Sequence, residues 1–229
     1  MKNIRNLILV ATAIIAGNLH AATTTYTWTT GTTATSNGIQ NTAGLAYQNS
    51  VSASFAGPGV ISWGYFNISD AQITAAASAS TLVNAFQNWN SGTGTFAAPG
   101  PSGSRGTFNF NAAARDLQTG GTGDTFQNKN MYVFIGSGAT FAASGEFLVL
   151  KTTFTFDPAE SGPTAFLKTI TAANATPLFG SAVANVFTTT ADASQTPGWQ
   201  TASFGAVPEP SAALLGAIGA LGLLRRRRN

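Results

Sequence analysis

The chain contains no cysteine and only one histidine, His20. The first absence removes disulfides, thiolate nucleophiles, cysteine zinc and iron–sulfur sites and c-type haem attachment. His20 stands in the Leu19-His20-Ala21-Ala22 end of an N-terminal leader, so the body beyond it has no histidine either. Ser-His-Asp catalysis and histidine-based metal sites are excluded with it. Charged side chains make up only 8% of the residues, so ion-pair networks contribute little and stability rests on a packed core. No uncharged apolar run reaches the roughly 20 residues of a full transmembrane helix; two shorter runs lie near the two ends.

Lys2 and Arg5 precede the run from Leu7 to Gly17, and the small residues Ala21 and Ala22 follow. This is the layout of a Sec signal peptide, with cleavage expected after Ala21 or, second, after Ala22. At the other end stand Val207-Pro208-Glu209-Pro210-Ser211, the run Ala212 to Leu224, then Arg225, Arg226, Arg227 and Arg228. Pro208 and Pro210 fix φ, lack amide donors and bias their predecessors toward extended backbone, so a helix starting near Ser211 cannot propagate backward into the body. The 13-residue run makes roughly 20 Å of helix against a hydrocarbon core of about 30 Å. Carrying four arginines through the bilayer would cost about 10 kcal/mol or more, so they act as a membrane stop. Basic residues flank both runs on their outer sides, which places both ends in the cytoplasm and the body across the membrane as a transient hairpin.

Pro208-Glu209-Pro210, a short Leu/Ala/Gly helix and a terminal arginine cluster resemble the PEP-CTERM sorting signal of exported proteins in Gram-negative, biofilm-forming bacteria. The resemblance covers about a tenth of the chain. It implies processing by exosortase, a membrane-embedded cysteine transpeptidase-like enzyme, near the PEP segment after passage through the Sec translocon. The implied route is a transient inner-membrane intermediate, then the cell surface or extracellular matrix. Ile68 to Ile73 and Tyr132 to Gly136 also resemble segments found in the bodies of such proteins. None of this supplies a biochemical activity.

Three regions follow: a signal peptide at 1–21, a β-rich exported domain at 22–206, and the sorting signal at 207–229. Without its ends the body keeps five basic residues (Arg105, Arg115, Lys129, Lys151, Lys168) against seven acidic ones (Asp70, Asp116, Asp124, Glu146, Asp157, Glu160, Asp192), a formal charge of about −2. The basic sequence pI of about 9.5 belongs to the removed ends, and nucleic-acid binding is not expected.

The body reads as mainly β: a single antiparallel β-sandwich-like domain with one short helical insertion. Thr23–Thr33 and Ser50–Phe55 alternate apolar and polar residues as strands do, and Val60–Phe66, after the Gly57-Pro58-Gly59 turn, reads as a third strand with aromatic weight. Ser69-Asp70-Ala71-Gln72 is a capping box opening a helix, and the helical spacing of Leu82, Phe86 and Trp89 predicts a second short helix through Trp89. Ile73, Ala76, Ala77 and Ser80 share one face of the segment that the capping box opens. Asn90–Arg105 and Asp116–Asn130 read as loops; their glycines lack the lysine of a phosphate loop, and their acids lack calcium-loop spacing. Met131–Ile135, apolar throughout, and Glu146–Phe156 predict a core hairpin, with further strands at Ala165–Thr171, Val183–Thr189 and Trp199–Phe204.

Three functional classes fit this pattern. The leading one is a non-enzymatic surface or extracellular-matrix protein associated with exopolysaccharide, needing no cofactor and no metal. A narrower one is a carbohydrate-binding sandwich in which Trp28, Trp63, Trp89 and Trp199 stack on sugar faces, although each is also a natural core residue. The third is a glycoside hydrolase or lyase working with carboxylates alone, for which no paired acidic motif is present.

Overall fold

The structure, a computed structural model, describes residues 23–30, 37–49, 56–89, 94, 96, 106–111, 115–116, 125–156, 164–187 and 195–204. In chain order these form β1 (Thr23–Thr29), β2 (Ile39–Gln40), β3 (Val60–Phe66), α1 (Asp70–Thr74), α2 (Ala79–Ala85), β4 (Phe86–Asn88), β5 (Asn109–Asn111) and β6 (Arg115–Asp116). Then come β7 (Asn130–Gly136), a 3-10 turn (Phe141–Ala143), β8 (Glu146–Thr155), β9 (Thr164–Thr169), β10 (Ala175–Phe179), β11 (Ser181–Phe187), β12 (Gln195–Gln200) and β13 (Ala202–Ser203).

Strand β7 is central because both of its faces are apolar. Met131, Val133 and Ile135 enter one core with Ile61, Trp63, Leu148 and Leu150, while Tyr132 and Phe134 enter another with Phe66, Phe147 and Val149. A strand whose side chains are buried on both sides must have cover on both sides. The six-stranded sheet, ordered β10-β8-β7-β3-β4 with β13 also on β8, has it. Ile73, Leu82 and Ala85 of the two helices cover one face. The other face meets an aromatic core that draws Phe108 and Ile170 from beside a four-stranded sheet, and Ile39 and Trp199 from a three-stranded one. Removing each of these large side chains from water contributes about 1.5–3 kcal/mol.

Pairing is largely antiparallel, as expected of this mainly β body, and β7 and β8 form the expected hairpin. Two pairs are parallel, β1 with β9 and β2 with β12. The long intervening chain allows it, since a parallel pair needs a crossover rather than a tight turn. Ser69 caps α1 as anticipated: its hydroxyl accepts from the Gln72 amide, and the Gln72 side chain accepts from the Ser69 amide.

The second helix stops earlier than its apolar spacing predicts. It ends at Ala85, and Phe86–Asn88 leaves as an extended segment paired with β3. The edge of β3 offers hydrogen bonds that a longer helix would forgo, and the Trp89 amide donates to the Trp63 carbonyl at 2.8 Å. Gly64 makes the approach possible, since a Cβ there would lie 1.8 Å from the Gln87 carbonyl oxygen. The apolar face is also narrower than predicted: Ile73 is buried, whereas Ala77 and Ser80 are exposed. Strand β10 is hidden in the sequence by Pro177, tolerated here on an edge strand beside a register shift. The predicted strand Ser50–Phe55 and most of the two predicted loops lie outside the described residues.

Candidate functional site

The last described segment of the chain is fixed to the body. Trp199 and Thr201 donate their amides to the Gly38 and Gln40 carbonyls at 3.0 Å each, and β13 then pairs Ala202 with Phe147 and Ser203 with Glu146. The Phe204 ring lies 4.6 Å from that of Phe179 and 5.6 Å from that of Phe147. Strands β10 and β13 thus occupy successive stretches of β8, and the C-terminal end of the body is part of its main sheet.

A polar chain running from buried Tyr47 and Thr201 out to exposed Thr42 fastens the same place. Thr201 Oγ1 donates to Glu146 Oε2 at 2.5 Å, while Thr42 donates its hydroxyl to Oε1 at 2.5 Å and its amide to Oε2 at 3.1 Å. With the single Thr201 proton given to the carboxylate, the Tyr47 hydroxyl, 3.3 Å from Thr201 Oγ1, is the donor there. Burial raises the Glu146 pKa, but hydrogen bonds from Thr201 and Thr42 outweigh it and hold the carboxyl below its ordinary value. Burial pushes the Tyr47 phenol up, so it stays a neutral donor. Thr42 is presented by a turn in which Asn41 Oδ1 accepts from the Ala43 and Leu45 amides, with Gly44 at φ +78°.

A second carboxylate, Asp70 at the start of α1, accepts from Tyr132 Oη at 2.7 Å and Lys151 Nζ at 2.6 Å. Burial again acts upward, and the Lys151 and Tyr132 hydrogen bonds again prevail, holding Asp70 below its ordinary value. Burial and the bond to Asp70 raise the Tyr132 phenol. The cluster joins the Ile68–Ile73 and Tyr132–Gly136 segments, so these two stretches of the sequence touch in space. Both carboxylates are occupied in holding elements together. Among the described residues no three His, Cys, Asp or Glu side chains gather into a cation site. An open groove of about 350 Å³ beside α2 is lined by Ala79, Ser80, Val83, Asn84, Phe141 and Ala142, none of them titratable.

The tryptophan platforms require correction. Trp63, Trp89 and Trp199 are each 1% exposed. Trp89 stacks on Phe156 at 4.8 Å and meets Phe126 edge-on, and Trp63 tilts against Phe108 at 5.4 Å. A face covered by protein cannot also stack on a sugar, so these three are core residues. Trp28 lies in β1 opposite Phe110 and Lys168, and its side chain is outside the described residues. Also outside them are Ala21, Ala22, Pro208, Glu209, Pro210 and Arg225, Arg226, Arg227 and Arg228. No helix among the described residues is long and apolar enough to cross a membrane.

The Glu146 lock escapes sequence reading. Asn41-Thr42-Ala43-Gly44 has turn chemistry, but the carboxylate it serves is 104 residues away.

Residues 206–228 match the PEP-CTERM protein-sorting motif. The match begins two residues after Phe204. Neither the curated proteins nor the solved structures offer a match to the chain.

Proposed function

We propose, from a PEP-CTERM sorting motif set directly behind a folded β body, that this chain is a non-enzymatic surface or extracellular-matrix protein associated with exopolysaccharide. The motif supports export and sorting by exosortase. The finer steps belong to the proposal: Sec translocation behind a signal peptide, an inner-membrane intermediate held by 212–224 and the arginines, cleavage near Pro208-Glu209-Pro210, and release to the surface of a Gram-negative cell. The observation that carries the reading is the junction at Phe204, where a fastened sheet gives way within two residues to the motif. Asp70 and Glu146, the two carboxylates whose side chains lie among the described residues, are engaged in structural contacts, in keeping with this reading.

In a host with exosortase, replacing Pro208-Glu209-Pro210 by alanines leaves full-length protein in the inner membrane, and replacing Arg225–Arg228 by serines lets uncut precursor escape. Normal processing of the alanine variant contradicts the reading. Exopolysaccharide association falls to the uncharged, hydroxyl- and amide-rich surface, so raising salt leaves it nearly unchanged. A steep loss of binding with salt overturns that part.

A further inference from the structure

One aromatic ring of the core beneath the helices reaches the surface. Phe134 is fully buried and lies nearly parallel to two neighbours, Phe147 at 5.7 Å and Phe141 at 4.3 Å. Phe147 is buried as well, whereas Phe141 is partly exposed and lines the open groove of about 350 Å³ beside α2. With Phe134 against one face, the rest of the Phe141 ring fronts that groove. The loop that presents it is held in one shape. Thr140 Oγ1 accepts from the Ala143 amide at 3.2 Å, and Ser144 Oγ accepts from the Gly138 amide at 2.9 Å while donating to the Thr140 carbonyl at 2.8 Å. Ser137 Oγ accepts from the Gly145 and Glu146 amides at 3.1 Å each. A ring fixed before its ligand arrives loses little freedom on binding.

Helix α2 contributes Ala79 and Val83, which keep the groove apolar, and the exposed Ser80 and Asn84, which bring a hydroxyl and an amide. No charged side chain occurs in residues 71–89 or 130–145, the two stretches that wall it. An aromatic ring beside donors and acceptors in uncharged surroundings is matched by a neutral sugar. A pyranose with all its hydroxyls equatorial turns polarised C–H bonds toward the negative face of an aromatic ring, and its rim of hydroxyls meets amide and hydroxyl groups. An acidic glycan would find no cation on these walls. The volume, near the lower end of the about 300–1,000 Å³ of ligand pockets, suits a short glycan segment.

We propose that this groove binds a segment of a neutral, cellulose-like β-glucan, with one sugar ring stacked on Phe141 and its hydroxyls hydrogen-bonded to Asn84 and Ser80. The proposal rests on the exopolysaccharide association above and deepens it by naming the site and the glycan class, in place of the buried tryptophans.

The test is calorimetric titration of the full chain, purified in a detergent without a sugar headgroup, with cellohexaose. Binding is expected, and salt leaves it nearly unchanged. Phe141→Ala weakens it about tenfold or more, whereas Phe141→Tyr keeps it within about threefold. Asn84→Ala weakens it about threefold or more. Circular dichroism reports that each variant is folded. Should Phe141→Ala misfold, Asn84→Ala decides, because that side chain is exposed and its removal takes nothing from the core. No binding of cellohexaose, or binding that Phe141→Ala and Asn84→Ala leave unchanged, overturns the proposal, and so does a preference for oligogalacturonate that high salt abolishes. Self-association of the chain without sugar, lost in Phe141→Ala, also overturns it and makes the groove the seat of a second copy. Retention of the exported wild-type chain on the exopolysaccharide of its host is measured separately: its absence defeats the association reading, whereas retention unchanged in Phe141→Ala defeats only the site.

Discussion

Glu146→Gln is the most informative single change to the body. The carboxylate accepts three hydrogen bonds, two from Thr42 and one from Thr201, and sits where the C-terminal segment joins β8. A hydrogen bond to a charged group contributes about 1.5–3 kcal/mol. Glutamine keeps one acceptor oxygen, but its amide meets donors where the second carboxylate oxygen stood. Because the group is partly solvated, the discounted loss is about 1–2 kcal/mol. For a body of this size that lowers the melting temperature by about 2–8 °C. The pH dependence separates charge from shape. The folded-state pKa of Glu146 lies below its ordinary value, so its stabilisation is present above the unfolded value of about 4.3 and is lost as pH falls through the lower folded one. The melting-temperature difference between wild type and Glu146→Gln, followed by circular dichroism, therefore shrinks toward zero as pH falls from the unfolded value through the lower folded one. A constant difference across that range, or none at neutral pH, refutes the lock as an ionised contact.

Gly64→Ala places a methyl 1.8 Å from the Gln87 carbonyl and separates β3 from β4, at a cost of about 3 kcal/mol; an unchanged denaturant midpoint contradicts the observed pairing. Iodide quenches little of the native tryptophan emission, because three of the four indoles are 1% exposed, and full quenching before unfolding rules out their burial. Asp70→Asn lowers stability by less than about 1 kcal/mol at neutral pH and by less in high salt, since the Asp70 and Lys151 side chains are 40% and 34% exposed. A larger, salt-independent loss in chemical denaturation shows that the Asp70 contacts with Lys151 and Tyr132 are stronger than an exposed ion pair.

What the sequence reveals is what is encoded locally. The strands Val60–Phe66, Asn130–Gly136 and Glu146–Thr155 are legible because successive residues divide between two apolar cores. The Ser69/Gln72 capping box is legible because its partners are three residues apart. Phe86–Asn88 is misread as helix because Leu82, Phe86 and Trp89 fit a helical period, while the deciding influence is the edge of β3 and the missing side chain of Gly64. The Glu146 lock joins residues separated by 104 and 55 positions, and no local pattern announces it. A tryptophan in a β-rich sequence is equally compatible with a platform and a core. Only packing against Phe108, Phe126 and Phe156 decides for Trp63 and Trp89. The sorting motif is fully legible because it is written in consecutive residues, 206–228.

The intact mass of the exported protein, purified from a host with exosortase, tests the central claim most directly. The account predicts a species that begins after Ala21 or Ala22, ends at or near Pro208-Glu209-Pro210, and lacks the apolar run and Arg225–Arg228. An exported species still ending at Asn229 contradicts it and leaves residues 212–228 as a short anchor that is never cut.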